Sequence, residues 1–235
     1  MQKFIPILYS TEMVQALRAG RKTMTRRTKG LERFNINPDA FTCNNGMKSS
    51  NRFYHEGEPS PNPIEVWHLL QSADGHQNEI KCPYGKVGDI HWVRESFLWC
   101  CDDSFLEGMD SRLVFKADVH PDWFEAYKEK YPHEKWNPSI HMPKNCCRLF
   151  LKITGIRLER LQMITDDDAM AEGIQVVNDG ITYHDYMCPK VGSFVRAHSS
   201  FLSLWEKIRG YISIKENYWV WVITFEKTDK PQNFI

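Results

Sequence analysis

The chain has 235 residues, of which 42% are hydrophobic, so it is long enough to enclose a sizeable core. Lys plus Arg and Asp plus Glu each total 30. This balance excludes a global electrostatic field that would draw the protein to nucleic acid or to a membrane, so any recognition by charge must be local. The longest apolar run, Tyr218 to Phe225, is far shorter than the roughly 20 residues of a membrane-spanning helix, and no membrane span is predicted.

Cysteine usage indicates a reducing compartment. The seven cysteines form an odd set with two vicinal pairs, and no basic-then-apolar signal pattern follows Met1. We therefore predict reduced thiols and a cytoplasmic location. Spacings typical of zinc sites and of glycine-rich phosphate loops do not occur, so neither a metal nor a cofactor is predicted, although Cys82 and Cys188 could act as ligands.

A strand, a helix and a second strand are predicted at the start of the chain. Ile5 to Leu8 is typical of a strand, and the helically spaced apolar residues after it predict a helix that ends at Gly20. Arg21 to Arg27 alternates small hydroxyls with long basic side chains, which favours a β-strand. Because Lys22 and Thr25 would face opposite sides of a regular strand, we place Lys22 in the helix-to-strand transition.

Two stretches interrupt the regular pattern. Residues from about 28 to about 80 are rich in Asn, Pro, Gly and Ser. We interpret them as a partly irregular insertion with loop signals at Ser60 to Pro63 and one strand at Val66 to Leu70. A second irregular insertion spans about 174 to about 197.

Strands and helices alternate over the rest of the chain. Three helices are predicted, namely Pro121 to Tyr131, a short one capped by Thr165 that stops at Gly173, and an amphipathic one that stops at Gly210. The predicted strands are Ile90 to Leu98, Leu113 to Ala117, Cys147 to Leu158 and Trp219 to Phe225. The last strand is apolar on both faces and should lie deep. The simplest interpretation is one mixed α+β domain over residues 1–235 that carries the two insertions.

Three stretches together resemble the ASCH family, in the family's order: Ala19 to Arg27, Gly88 to Glu95 and Ala169 to Gly173. The last helix and the Trp-rich strand are similar to those of the longer phage and prophage members. The resemblance implies a mixed β-barrel like that of pseudouridine synthase and archaeosine transglycosylase (PUA-like), with about five to six strands, flanking helices and a pocket for a nucleobase or nucleoside. A phage-encoded member would work in the cytoplasm of its bacterial host.

The smallest members of this family include amidohydrolases that remove the acetyl group of N4-acetylcytidine with a lysine, a threonine and a glutamate. The resemblance puts Lys22, Thr25 and Glu172 at the matching positions. Thr25 would attack the amide carbonyl, Lys22 would take its proton, and Glu172 would pass a proton to the leaving amine. Glu172 stands near a helix C-terminus, where a negative charge needs a cation, and Lys22 is the predicted partner.

Substrate binding is predicted for the basic run after Gly20 and for the second matched stretch. The residues concerned are Arg21, Arg26, Arg27, Trp92, Arg94 and Glu95. Without the resemblance, the ordinary interpretation of a Lys–Glu pair is a surface ion pair worth at most ~1 kcal/mol.

A different function stays open beside the hydrolase. Residues 18–29 contain six cations and no acid, and such a patch can neutralise phosphates while aromatic side chains stack on unpaired bases. The alternative is therefore a non-catalytic RNA- or DNA-binding module whose partner is single-stranded nucleic acid. A third possibility is a phage protein that engages a host factor through its insertions.

Overall fold

The structure, a computed structural model, describes residues 2–49, 52–55, 65–107, 109, 112–177, 180–190 and 192–234. The chain forms two compact units. The first consists of Met1–Lys3, Arg21–Asp89 and Lys152–Glu226, and the second of Phe4–Gly20, Ile90–Leu151 and Lys227–Ile235. Each unit is built from three separate stretches of the sequence, so a single linker does not divide them. That residues 1–235 form one domain stays a prediction.

The described residues form a mixed α+β fold. The strands are β1 (Phe4–Leu8), β2 (Met24–Arg27), β3 (Phe41–Ser49), β4 (Arg52–His55), β5 (Glu65–Ser72), β6 (Gln77–Ile80), β7 (Ile90–Arg94), β8 (Phe97–Trp99), β9 (Leu113–Phe115), β10 (Phe150–Arg160), β11 (Tyr183–His184), β12 (Ser193–Phe194) and β13 (Trp219–Thr228). The helices are α1 (Thr11–Arg18), α2 (Pro121–Lys130), α3 (Asp166–Ala171), α4 (Ala197–Arg209) and α5 (Tyr211–Lys215). These strands lie in several sheets, and within the described ranges none of the sheets closes into a barrel.

The first unit is organised around β13, which lies between β10 and β2. β13 pairs antiparallel with β2, so that Ile223 lies opposite Thr25 and Val222 opposite Arg26. Every residue from Trp219 through Ile223 is buried, which confirms the predicted depth of this strand. Trp221 and Ile223 pack into one apolar cluster while Val222 packs into another, as strand alternation requires.

A four-stranded antiparallel sheet occupies much of the first predicted insertion, with the strand order β4, β3, β5, β6. The predicted strand at Val66 to Leu70 is confirmed within β5, but the stretch is more regular than predicted. Leu70 and Ile80 are buried in the cluster that contains Trp221, and this packing outweighs the loop-like composition. The loop signals at Ser60 to Pro63 lie outside the described residues.

In the second unit β1 runs parallel to β7, and β8 pairs antiparallel with β9. The long strand predicted over Ile90 to Leu98 is wrong, because the chain changes partners midway. β7 ends at Arg94, after which Phe97 pairs with Phe115 of β9. Each segment of the predicted strand thus belongs to a different sheet.

The capping residue of α3 and the glycines that end α3 and α4 are those that the sequence predicts. The Thr165 side chain accepts a hydrogen bond from the Asp168 N–H and caps α3, and Gly173 follows this helix with a φ of +90°. Gly210 ends α4 with a φ of +83°. The short α5 starts directly after Gly210 and was not predicted, because the glycine stop hides it. No helix in the described part of the chain is long and apolar enough to cross a membrane.

Asn35 joins the segment after β2 to the start of β13. Its Nδ2 donates to the Trp219 carbonyl oxygen at 3.1 Å, and the Trp219 N–H donates to its Oδ1 at 2.7 Å. Both residues are buried. The side chain therefore satisfies two backbone groups at the point where the deepest strand begins.

Replacing Asn35 by Ala is expected to lower the free energy of unfolding by about 1–3 kcal/mol, because it leaves a buried donor and a buried acceptor without partners. The matched control is Asn37→Ala at an exposed position, which should change stability by less than about 0.5 kcal/mol. Urea unfolding of both variants measures the difference. Equal, small effects would contradict the assigned role of Asn35.

Candidate functional site

The link before β2 is fixed by backbone hydrogen bonds within the first unit. The Thr23 N–H donates to the Ala171 carbonyl oxygen at 2.8 Å, and the Phe225 N–H donates to the Thr23 carbonyl oxygen at 2.9 Å. β2 begins only at Met24, so Lys22 precedes the strand as predicted. The link therefore holds Lys22 next to the C-terminal end of α3.

Lys22 and Glu172 form a buried ion pair. The Lys22 Nζ donates to the Glu172 Oε2 at 2.7 Å and to the Glu172 carbonyl oxygen at 2.8 Å. The exposed fractions of the two side chains are 0% and 5%. Glu172 is the C-cap of α3, where the helix dipole disfavours a carboxylate, and the ammonium offsets both negative groups. The predicted contact is thus present, and it is not a surface ion pair.

Burial lowers the pKa of Lys22, because the charged form loses its hydration. Its charge interaction and hydrogen bond with Glu172 oppose this change, while the nearby Arg27 and Arg26 lower the pKa further. The net direction is downward. Lys22 can therefore become neutral at a lower pH than an ordinary lysine, and a neutral amine can accept a proton.

Arg26 bridges the carboxylates around this pair. Its Nη2 lies 2.6 Å from the Glu159 Oε1 and 2.5 Å from the Asp168 Oδ2, and its Nη1 lies 3.5 Å from the Glu172 Oε1. Its side chain is fully buried. Arg157 contacts two of the same acids, with its Nε 2.9 Å from Glu159 and its Nη2 2.6 Å from Asp168.

These side chains form one ionic cluster in which three cations meet three anions. We use that name for Lys22, Arg26, Arg157, Glu159, Asp168 and Glu172. An unpaired charge is expensive to bury, so an equal number of opposite charges allows the cluster to be enclosed. The face of the Phe201 ring of α4 lies 5.6 Å from the Arg26 guanidinium carbon.

Thr25 occupies the other face of β2. It lies opposite Ile223, whereas Arg26 lies opposite Val222, and neighbouring residues of a strand point to opposite sides. Thr25 is buried. The structure therefore brings Lys22, Arg26 and Glu172 together, while Thr25 follows Lys22 in the same segment with its side chain on the Ile223 side.

The predicted basic patch is smaller than its sequence indicates. Lys22 and Arg26 are buried in the ionic cluster, and Arg18 pairs with Asp118 within the second unit. Arg21 is exposed, and its Nη1 donates to the Gly173 carbonyl oxygen at 3.4 Å. Arg27 is half-buried. The acids that neutralise Lys22 and Arg26 lie more than a hundred residues away in sequence, so local composition hides them.

The remaining predicted binding residues belong to the second unit. Trp92 is buried with Phe234 in an aromatic cluster, and the Arg94 guanidinium lies 5.4 Å from the Trp92 ring. Glu95 accepts two hydrogen bonds from Arg148, at 2.9 and 2.8 Å, and its side chain is 2% exposed. This pairing occupies the Glu95 carboxylate, and the substrate-binding role of the three residues stays a prediction.

A surface hollow of about 480 Å³ lies elsewhere in the first unit. Its lining residues are Thr28, Glu32, Asn35, Ile36, Ile212, Glu216 and Tyr218. Lys22, Thr25 and Glu172 do not line this hollow. We therefore do not assign the hollow as the reactive site, although it is large enough to hold a small molecule. Within the described residues, no three His, Cys, Asp or Glu side chains are grouped to hold a metal ion.

Comparisons of the chain with protein-family models, with curated proteins and with solved structures returned no match. The relation to the ASCH family therefore rests on the three sequence stretches alone. What the site can do must be inferred from its geometry.

Sequence reasoning did not predict that Arg26 contacts Glu172. One signal was available, since Asp168 and Glu172 are four residues apart and share a face of the helical turn. The contact between Glu159 and Arg26 could not be predicted in this way, because it depends on the order of strands in the sheet.

The lowered pKa of Lys22 predicts a pH-dependent stability. Between that pKa and the ordinary lysine value of about 10.4, unfolded chains hold a proton that folded chains have lost, so stability rises with pH. The free energy of unfolding of the native protein minus that of Lys22→Met should therefore increase from neutral to alkaline pH, by at most about 1.4 kcal/mol per pH unit.

Urea unfolding at a series of pH values measures this difference. Lys29→Met is the control, because it removes the charge of an exposed lysine. A Lys22→Met difference that rises with pH no more than the Lys29→Met difference does would show that the pKa of Lys22 is not lowered in the folded chain.

Proposed function

We propose that this chain is a nucleoside-recognising domain of the ASCH type that hydrolyses the amide of an N-acylated nucleobase such as that of N4-acetylcytidine. The observation that carries the proposal is the buried pair in which the Lys22 Nζ lies 2.7 Å from the Glu172 Oε2. This pair also joins two of the three stretches on which the family resemblance rests. A desolvated lysine beside a carboxylate is a suitable general base.

The proposal includes a PUA-like barrel as the finer description of the fold. Parallel pairing of β1 with β7 and antiparallel pairing of β2 with β13 support a mixed barrel. The proposal also places the protein in the cytoplasm, and the seven free cysteines favour such a reducing location.

The proposed reaction has two stages. Neutral Lys22 takes the proton of the Thr25 hydroxyl while the oxygen attacks the acyl carbonyl carbon. The proton passes through Glu172 to the exocyclic nitrogen, the carbon–nitrogen bond breaks, and the free nucleoside leaves an acyl ester on Thr25. Water, deprotonated by Lys22, then hydrolyses that ester to release the carboxylic acid and restore Thr25.

The chain must bend at the start of β2 if the Thr25 hydroxyl is to reach an acyl group that lies beside Lys22. Lys22 and Arg26 share the Glu172 carboxylate, whereas the Thr25 side chain lies on the Ile223 side of β2, so the proton transfer requires the Thr25 hydroxyl to turn toward Lys22 at the start of the strand. Arg21 and Arg27 flank the pair and supply donors for the oxygens of a base or ribose. A water molecule activated directly by Lys22 is the other nucleophile that this geometry allows, and replacement of Thr25 distinguishes the two.

The purified protein is expected to release acetate from N4-acetylcytidine. Lys22→Met and Glu172→Gln should each lower kcat/KM by at least about 100-fold, the usual contribution of a general acid or base. Thr25→Val should abolish turnover and Thr25→Ser should keep part of it if the hydroxyl attacks. Because neutral Lys22 is the active form, the rate should rise with pH through the lowered pKa of Lys22.

Lys29→Met serves as the control for loss of an exposed positive charge. Hydrolysis that is unchanged in Lys22→Met would rule out the proposed base. Salt-sensitive binding of single-stranded oligonucleotides without any product would instead favour the nucleic-acid-binding module. Capture of a bacterial protein by a chain inactive in both assays would favour the host-factor interpretation.

A further inference from the structure

We propose that Arg26 is a positioning residue that fixes the Glu172 carboxylate, so that one of its oxygens stays directed at Lys22. This inference rests on the proposed function and deepens it. The sequence predicted that Arg26 binds substrate, whereas its guanidinium lies within 3.5 Å of three carboxylates of the chain itself.

The two Glu172 oxygens have different partners. Oε2 accepts from the Lys22 Nζ at 2.7 Å, and Oε1 lies 3.5 Å from the Arg26 Nη1. A carboxylate held at both oxygens cannot rotate about its last bond without losing one of these contacts. Arg26 therefore restricts the rotation of the Glu172 carboxylate beside the general base.

Arg26 is itself anchored from two other elements. Its Nη2 contacts Glu159 of β10 at 2.6 Å and Asp168 of α3 at 2.5 Å. The planar guanidinium presents its donors in a fixed fork, which a lysine ammonium at the same place cannot reproduce. Because β10 and α3 hold Arg26 in place, Arg26 in turn restricts the movement of the Glu172 carboxylate that contacts Lys22.

The charged groups around Lys22 determine the direction in which its pKa should move when Arg26 is replaced. Groups that face Lys22 or Arg26 come from β2 (Arg26 and Arg27), from α3 and its C-cap (Asp168 and Glu172) and from β10 (Arg157 and Glu159), while α4 contributes the Phe201 ring. Removing the Arg26 charge takes one positive neighbour away from Lys22 and leaves the acids less neutralised. Both changes favour protonated Lys22.

The experiment measures the titration of Lys22 directly by NMR of protein labelled in its lysine side chains, with Lys22→Met used to assign the signal. Arg26→Met should move the Lys22 midpoint to higher pH by about one pH unit, as loss of a nearby like charge does. Arg26→Lys keeps a positive charge and should leave the midpoint near its native position. This readout does not require hydrolysis, so it remains informative if no substrate is turned over.

The matched control is Arg157→Met. Arg157 contacts Glu159 and Asp168, as Arg26 does, but it is partly exposed, and among the described residues its ion pairs do not include Glu172. Its loss should move the Lys22 midpoint to higher pH by less than the loss of Arg26 does, because Arg157 is partly exposed and pairs with Glu159 and Asp168. On N4-acetylcytidine, Arg26→Lys should lower kcat more than Arg157→Met does, because the ammonium retains the charge but loses the fork.

Some outcomes would overturn the proposal. If Arg26→Met and Arg157→Met move the Lys22 midpoint equally, or if neither moves it, Arg26 is only part of the scaffold. Should Arg26→Met fail to fold, the same titration is measured on the double variant Arg26→Met with Asp168→Asn, which removes one acid that has lost its Arg26 contact, and the midpoint should lie at higher pH than in Asp168→Asn alone. Absence of hydrolysis with the expected midpoint shifts would refute the proposed reaction and retain the role of Arg26.

Discussion

The structure around the site depends on enclosing the Lys22 ammonium away from water. A buried charge is tolerated only when opposite charges and hydrogen bonds replace its hydration, and Glu172 provides a carboxylate oxygen and a carbonyl oxygen for this purpose. Since Glu172 would itself be unfavourable at a helix C-terminus, each residue needs the other. The pair therefore ties the link before β2 to the end of α3, and the Thr23 to Ala171 hydrogen bond repeats that connection in the backbone.

The same requirement explains the composition of the surroundings. Arg26 brings a second buried positive charge, and Glu159 and Asp168 balance it, so the ionic cluster as a whole is neutral. Its neighbours on that face of the sheet are apolar: Val222 is fully buried, and Phe201 covers the guanidinium. In these low-dielectric surroundings an unpaired charge costs more free energy than it does in water. The ionic cluster is therefore rigid, and the protonation of Lys22 depends strongly on each neighbouring charge.

Much of this arrangement could be predicted from local sequence. The helix cap at Thr165, the glycine stops and the apolar alternation of β13 all have short-range causes, and each is present. The contact between Lys22 and Glu172 was predictable only through the family resemblance. Strand order and long-range partners were not predictable, because the acids that neutralise Arg26 reach it through the order of strands and the docking of α3. The break after Arg94 was missed for the same reason, since the choice of a new strand partner leaves no local signature.

The most direct test is a crystal structure of the Glu172→Gln variant soaked with N4-acetylcytidine. The proposed function predicts density for the nucleoside beside Lys22, with the acetyl carbonyl carbon about 3–3.5 Å from the Thr25 hydroxyl oxygen, the distance of a reactive conformer. Density for the nucleoside only in the hollow lined by Ile36 and Ile212, with Lys22 still closed off from it, would contradict the assignment of this buried pair to catalysis.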